Sequence, residues 1–400
     1  MRRLLVLSST YPKQEGDNVP SFVYELNVRL NKCFELHVLV PHFLGGKLVE
    51  SSLGGKIYRY VYAPYFMEKL AYGGGVFANL KDKSWLYMLV VPFVAMQFLW
   101  ALAICVLKRI EIIHAHWIIP QGLIAVLIKM VFGGKIKVIC TSHGGDLYGL
   151  KGRFIGRIMR WVVSKCDVLT VVSSAMKNEC LVRRYQPGSM KIIPMGVDLR
   201  SEFNKGDAMT SPREGWLFVG RFVEKKGITY LIEAMKLLRD EGVSVDLTMA
   251  GAGPLFEVCK QRVREYRLED QVILLGAVGK AQLPMLYAKK EICIVPSIVD
   301  SRGDQEGLGL VIVEALGSGC IVLASDLPAI RDVIDDEKNG LLFKAGSPEA
   351  IARAILRVKN DKALRQKLSG ASRGSVLEKF DWEYISQRYC QAINAAINDG

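Results

Sequence analysis

Two glutamates bracket an apolar run that glycines open: Glu306 and Glu314 in EGLGLVIVE, residues 306–314. An isolated pair of this kind reads as one solvated loop residue and one residue on a helix surface. The surrounding residues suggest more. Gly307 and Gly309 precede LVIVEAL, which reads as a helix start. The free backbone N–H groups of its first turn, from Leu310 onward, form an anion site, and the helix dipole adds about 0.3–1 kcal/mol. Glu306 then sits just before the helix, near the anion. Glu314 lies one to two turns deeper, where an acidic side chain can accept ribose hydroxyls. The chemistry implied is phosphate at the helix tip, a sugar beside Glu306 and a ribose at Glu314.

Cations of the right kind occur elsewhere. After WLFVG (216–220) come Arg221 and Lys226. A fork and a point charge together suit a diphosphate; alone, the loop would read as solvated and basic. After KIKVICTS (135–142) comes His143-Gly144-Gly145-Asp146, a histidine where backbone can approach a ligand closely. It is a candidate to bond a sugar hydroxyl or the reacting oxygen. GAGP (251–254) is another strand-end glycine loop, opened by Gly251. His114 and His116, before Trp117, read as structural histidines. No acidic or His/Cys cluster has metal-ligand character.

These residues need elements to hold them. Short, β-branched apolar runs alternate with helix-like segments. In the first half the strand candidates are 3–9, 34–40, 56–62, 110–116, 135–142 and 167–173. In the second they are 216–220, 245–251, 271–277, 291–297 and 320–326. Continuous apolar strands alternating with helices predict parallel sheets covered on both faces. Two such series predict an α/β chain of two Rossmann-like domains facing across a cleft, with ligands at the carboxyl ends of the strands. The expected division is an N-terminal domain over 1–200, a polar linker over 201–214, a nucleotide-sugar-binding domain over 215–380, and a C-terminal helix over 381–400 packing back on the first domain.

Charge separates the halves. Residues 1–200 hold 26 Lys and Arg against 12 Asp and Glu; residues 201–400 hold 27 against 28. The excess points to an anionic partner for the first half. Residues 86–107, LYMLVVPFVAMQFLWALAICVL, carry no charge, which by length suits a membrane span. Pro92 and Gln97 lie within them, and the strand that follows must join a soluble sheet, so a buried or partly membrane-facing helix is a better reading than a true span. In 151–165 Arg153, Arg157 and Arg160 share about 60° of a helical wheel, with Phe154, Ile155, Ile158 and Val162 on much of the opposite side. Together these segments favour an anionic membrane surface over nucleic acid. The nine cysteines are scattered and odd in number, which reads as reduced thiols of a cytoplasmic protein. MRRLLVLSSTYP has too short an apolar core for a signal peptide and reads as a first strand.

Taken together, GRFVEKKG (220–227), GAGP (251–254), VPS (295–297), the E-x7-E of 306–314, ASD (324–326), IPMGVD (193–198) and SHGGD (142–146) resemble glycosyltransferase family 4, retaining nucleotide-sugar enzymes of GT-B fold. The resemblance implies that Arg221 and Lys226 bind the donor diphosphate and stabilise the leaving phosphate, Glu306 contacts the transferred sugar, Glu314 holds the ribose and His143 helps position the sugar. It also implies that no metal and no other cofactor takes part, since Arg, Lys and the helix tip do the work of a divalent cation, and that reaction occurs on one face of the donor, with the leaving diphosphate helping to deprotonate the acceptor. Two features depart from the commonest pattern. The loop TYPKQEGDNVPSF (10–22) has one glycine, Gly16, where many relatives have a pair, and the loop before Glu306 is longer. That longer loop and the apolar segment before HAHW resemble polysaccharide-assembly members. The expected function is sugar transfer to a glycan or lipid-linked acceptor by a peripheral protein at the cytoplasmic membrane face. A sugar-nucleotide epimerase of the same fold and a non-catalytic membrane partner are the alternatives. A NAD-dependent dehydrogenase is disfavoured, since no G-x-G-x-x-G follows the first strand.

Overall fold

The computed structural model describes residues 1–13, 21–72, 75–76, 79–80, 83–150, 152–204 and 213–398. Gly16 and most of its loop, Lys151 at the start of the basic segment, and 205–212 of the expected linker lie outside the described residues. The chain divides into two compact units. The first comprises Met1–Val172, Met176–Met195 and Ile385–Gly400; the second comprises Ser173–Ala175 and Gly196–Tyr384.

The first unit is built on eight strands: β1 (Arg3–Leu7), β2 (Glu35–Pro41), β3 (Val49–Ser52), β4 (Gly55–Tyr60), β5 (Ile112–His116), β6 (Lys137–Ser142), β7 (Val168–Val171) and β8 (Ser189–Ile192). Their order is β3-β4-β2-β1-β5-β6-β7-β8, parallel throughout except for β3 against β4. Every residue of β5 and all but the first of β1 and β6 are buried. Burial on both faces is what a continuous apolar run requires, and it puts these strands in the middle of the sheet. The edge strand β3, VESS, has no buried residue. At the carboxyl ends of the neighbours β1 and β5 the strand order reverses, the place where open α/β sheets bind ligands.

The uncharged segment forms a short turn, Ser84–Leu89, and a helix, Val90–Lys108. Pro92 falls in the helix's first turn, where its missing N–H costs no bond. Phe93, Gln97, Ala101, Ile104 and Cys105 make one buried stripe. Phe93 packs edge-on against Tyr60 at 5.4 Å and Tyr62 at 5.0 Å, fastening the helix to the sheet. Val91, Leu99, Val106 and Leu107 stay exposed. The helix is long and apolar enough to cross a membrane by length and composition. The neighbouring helix Leu123–Val131 exposes Leu127, Met130 and Val131.

The basic helix runs over Arg153–Lys165 and departs from the expected wheel. Its buried residues are Met159, Val162 and Val163, while Phe154 is 74% exposed. Phe154 lies in the first turn, ahead of the stripe that reaches the core, so it shares the solvent side with Arg153 and Arg157. The C-terminal helix, Trp382–Asn398, packs its later part on the first unit. There Arg388 Nη2 donates to the Ile192 carbonyl at 2.7 Å and the Tyr389 hydroxyl to that of Ile193 at 3.0 Å.

The second unit holds six parallel strands: β9 (Trp216–Val219), β10 (Leu247–Ala250), β11 (Val272–Gly276), β12 (Ile292–Val295), β13 (Ile321–Ser325) and β14 (Leu341–Phe343), in the order β11-β10-β9-β12-β13-β14. β9, β10, β12 and β13 are buried at every residue, whereas β11 at the edge alternates. The helices Ile228–Asp240 and Pro348–Asn360 press Leu231, Ile232, Met235, Ile351 and Ile355 into the core beneath these strands. Phe218 and Phe222 meet there edge-to-face at 5.9 Å. Cutting either to alanine should cost about 3–5 kcal/mol. Here too the strand order reverses, between the hydrogen-bonded pair β9 and β12.

Candidate functional site

The loops leaving β9 and β12 are adjacent because those strands pair. The β9 loop carries Gly220 to Gly227. Gly227 has φ +63, and a Cβ there would fall 1.8 Å from the Pro296 carbonyl oxygen, so only glycine lets this turn lie on the strand end of β12. Gly251, φ +146, is wedged in the same way against the Gly220 carbonyl oxygen, which a Cβ would approach to 1.8 Å. The GAGP loop therefore supports the backbone that presents Arg221.

Backbone and side-chain bonds then tie the two loops together. The Ile298 amide donates to the Lys225 carbonyl at 2.8 Å. The Glu224 carboxylate accepts from the Ser301 amide and hydroxyl, each at 2.9 Å. Lys225 Nζ lies 3.2 Å from Asp304 Oδ2 and also reaches the Gln305 carbonyl. Lys226 Nζ lies 2.9 Å from Glu306 Oε1, with both side chains mostly buried. The Lys226 contact is one of charge, and Oε1 gains no well-formed hydrogen bond from it. Burial alone would push the Glu306 carboxyl up, but Lys226 and Lys225 outweigh it and hold this carboxyl below its usual range. Glu306 is therefore an anion at neutral pH, with acceptor capacity to spare.

Arg221 differs from both lysines. It is exposed, and its guanidinium has no hydrogen bond or ion pair among the described residues. Gly309, φ +87, opens the helix Leu310–Gly317. No side chain caps that helix start, which leaves the first amides, from Leu310, open to an anion. Gly307 and Leu308 span the step from Glu306 to this helix. Glu314 is half-buried within the helix, and its Oε2 accepts from the Tyr287 hydroxyl at 3.0 Å. Burial holds the Glu314 carboxyl above its usual range, and Tyr287 and then Lys226 offset that only in part.

In the first unit the corresponding strand ends carry neutral groups. His116 Nδ1 and His143 Nε2 stand 3.0 Å apart with rings stacked, and His114 lies behind at 4.4 Å from His116. His114 Nε2 meets the Thr141 hydroxyl at 2.8 Å. Burial pushes His114 and His143 down to about 3 and His116 well below its ordinary value, so all three are neutral imidazoles. Asp146 braces the loop: its Oδ2 accepts the Ile118 amide at 2.7 Å and its Oδ1 the Ser142 hydroxyl at 2.8 Å. His143 alone of the three histidines is only half-buried.

Comparison with known proteins shows the family and the fold. Residues 21–201 match the family described as Glycosyltransferase Family 4, and residues 207–374 match Glycosyl transferases group 1. The chain belongs to the family 4 glycosyltransferases of GT-B fold. It is 29% identical over 277 residues to an uncharacterized glycosyltransferase of Methanocaldococcus jannaschii, covering 69% of this chain and 73% of that one. It is 22% identical over 404 residues, 97% of each chain, to the GDP-mannose-dependent alpha-(1-6)-phosphatidylinositol monomannoside mannosyltransferase of Mycobacterium tuberculosis. Its fold is also that of Anabaena HepE, solved in complex with UDP: TM-score 0.71, 16% identity, covering 99% of this chain and 100% of that one.

Several residues of the candidate site escaped the sequence reading. Glu224, Lys225 and Asp304 fasten the loop before Glu306, and no spacing rule connects them across 80 residues of chain. Their one signal was the unusual length of that loop, rich in polar groups. Tyr287 sits on the helix Leu283–Lys289, where an aromatic at helical spacing reads as core. His116, read as structural, is in contact with the candidate His143. Among the described residues of the glycosyltransferase, no group of three or more His, Cys, Asp or Glu is placed to hold a metal ion.

Proposed function

We propose that this glycosyltransferase moves a sugar, with retention of anomeric configuration, from a nucleoside diphosphate donor to a glycan or lipid-linked acceptor at the cytoplasmic face of a membrane. The observation that carries the donor half of this reading is the charge arrangement at β9 and β12: the unpaired fork of Arg221, the Lys226–Glu306 pair and the uncapped helix start at Leu310. Arg221, Lys226 and the helix amides supply positive charge where a leaving diphosphate accumulates negative charge. That set does the work a divalent cation does elsewhere, so the proposed reaction uses none. Ionised Glu306 faces the transferred sugar, where positive character develops as the anomeric C–O bond breaks. The new C–O bond forms on the same face, and the acceptor's proton passes to the leaving diphosphate. Glu314 accepts from the ribose. His143, a neutral imidazole, donates to or accepts from a sugar hydroxyl. The UDP-bound HepE and the GDP-mannose-dependent relative support a nucleoside diphosphate sugar as donor class.

The acceptor half rests on the surface of the first unit. Exposed Val91, Leu99, Val106 and Leu107 stand on one helix and Leu127, Met130 and Val131 on the next, with Arg153, Arg157 and Arg160 exposed on the basic helix. Apolar residues beside arginines suit insertion at an anionic lipid surface. The relative named for a phosphatidylinositol monomannoside acceptor supports the same reading.

The test is product analysis. Purified protein is incubated with nucleoside diphosphate sugars and lipid-linked or oligosaccharide acceptors in the presence of a chelator, and the new linkage is read by NMR. Retention of the donor's configuration without added metal is expected. An inverted product, or a strict metal requirement, would contradict the mechanism. Flotation with anionic vesicles tests the surface: neutralising Arg153, Arg157 and Arg160 together should reduce binding, and unchanged flotation would remove the membrane reading.

A further inference from the structure

Tyr287 is fully buried, yet it is a tyrosine and not a phenylalanine. Its ring packs edge-on against Phe203 at 5.9 Å, and its backbone carbonyl accepts from the Cys320 thiol. Its one polar side-chain atom, the hydroxyl, donates to Glu314 Oε2 at 3.0 Å. The other carboxylate oxygen of Glu314 takes no hydrogen bond among the described residues. So the acid is held by one oxygen from the protein side and leaves the other unused.

We infer that Tyr287 is a positioning residue that fixes the Glu314 carboxylate in the orientation that accepts the ribose hydroxyls of the donor. This rests on the proposed role of Glu314 and adds the group that makes that role effective. The physical reason is preorganisation. A glutamate free to turn must give up rotamer freedom when the nucleotide arrives, whereas one already anchored gives up little. The anchor is itself immobile, because the tyrosine ring is clamped by the core on all sides. The phenol also favours the ionised form of the acid, which is the form with acceptors for both hydroxyls. A structural explanation, in which the hydroxyl merely satisfies a buried acid, predicts a loss of stability that is blind to the nucleotide's sugar. The positioning role predicts a loss that depends on the ribose hydroxyls.

That difference defines the experiment. Binding of uridine, guanosine and adenosine diphosphates, and of their 2′,3′-dideoxy counterparts, is measured for the wild-type protein, Tyr287→Phe and Glu314→Gln. The wild type is expected to prefer the ribonucleotide. Tyr287→Phe should bind the ribonucleotide about tenfold more weakly, the lower end for a hydrogen bond to a charged group, with the dideoxynucleotide unchanged. In turnover the loss should fall on KM for the donor and not on kcat. Equal weakening of both nucleotides, or of neither, overturns the inference. Glu314→Gln separates the two layers. If it keeps the wild-type ribose preference, the role of Glu314 itself falls; if it loses the preference while Tyr287→Phe keeps it, only the role of Tyr287 falls. Phenylalanine fills the same buried space, so the variant is expected to fold. A fluorotyrosine at 287, which keeps the ring and changes only the strength of the hydrogen-bond donor, gives an independent reading. The ribose preference should follow the phenol's acidity, and a preference that does not move contradicts the proposal.

Discussion

The two units answer the same topological opportunity with opposite electrostatics. Each has a parallel sheet whose strand order reverses, and each places function-bearing residues at the carboxyl ends of central strands. In the second unit those ends are charged: Lys225 pairs with Asp304, Lys226 with Glu306, and Glu224 holds Ser301, with Arg221 left over. In the first unit three imidazoles are held uncharged by burial, and the one acid beside them, buried Asp146, is occupied by a backbone amide and a serine. The contrast fits the proposed division of labour, with the donor diphosphate at the second unit and sugar hydroxyls at the first. A diphosphate brings charge and needs counter-charge already in place. Sugar hydroxyls bring none and need fixed donors and acceptors. Outside the site the balance reverses, since the first unit's half of the chain carries all the excess positive charge.

The comparison can be broken in three places. The largest effect belongs to Glu306. Glu306→Gln removes an anion from a mostly buried position, and kcat should fall by about 100- to 1000-fold, the size found when one preorganised electrostatic contact is lost. Near-normal turnover in a pure preparation would contradict its role. Next comes Lys226→Met. Nucleoside diphosphate binding should weaken by about 10- to 100-fold, while the nucleoside alone is little affected. The same variant has a pH signature. Lys226 is the first of the groups that offset burial at Glu306. Without it the carboxyl's proton affinity rises, so the acid limb of kcat/KM should move to higher pH. A limb that stays put would mean that Lys226 does not set the charge of Glu306. The smallest effect is an absence. His143 is pushed down to about 3, so it should not titrate across about pH 5.5–8. The rate profile should show no break near the ordinary histidine value of about 6.5. A break there that disappears in His143→Asn would place a charged imidazole in the site and end the contrast between the units.

The sequence was most informative where one physical requirement dominates. Runs such as LLVL, ICIV and CIVLAS can be satisfied only inside a sheet, and their alternation with helices led to two doubly wound sheets. β3, β8 and β14 were missed because VESS, SMKI and LLF are short, lie near sheet edges and lack that requirement. Of the glycines that drew attention to the strand-end loops, Gly227 and Gly251 are required because backbone approaches too closely for a side chain, and Gly309 because its φ of +87 favours glycine. What stayed hidden needed three dimensions. The ties of Glu224 to Ser301 and Lys225 to Asp304 join loops distant in sequence. Tyr287 was hidden because a hydroxyl at the end of a core ring does not alter the helical pattern. Phe154 misled for the opposite reason: it fits the apolar side of a wheel but lies before the turn that meets the core.

Thermal unfolding with UDP, GDP, ADP, dTDP and CMP in chelator tests the central claim most directly, because it asks whether the charged strand ends of the second unit bind a nucleotide's phosphates without metal. A ligand at about 100 times its dissociation constant adds about 2.7 kcal/mol of stability, enough to move the melting temperature. One nucleoside diphosphate should stabilise the protein, and Lys226→Met should reduce that shift. If none stabilises it at millimolar concentration, or if the shift survives in Lys226→Met undiminished, Arg221, Lys226 and the helix start at Leu310 are not the donor site.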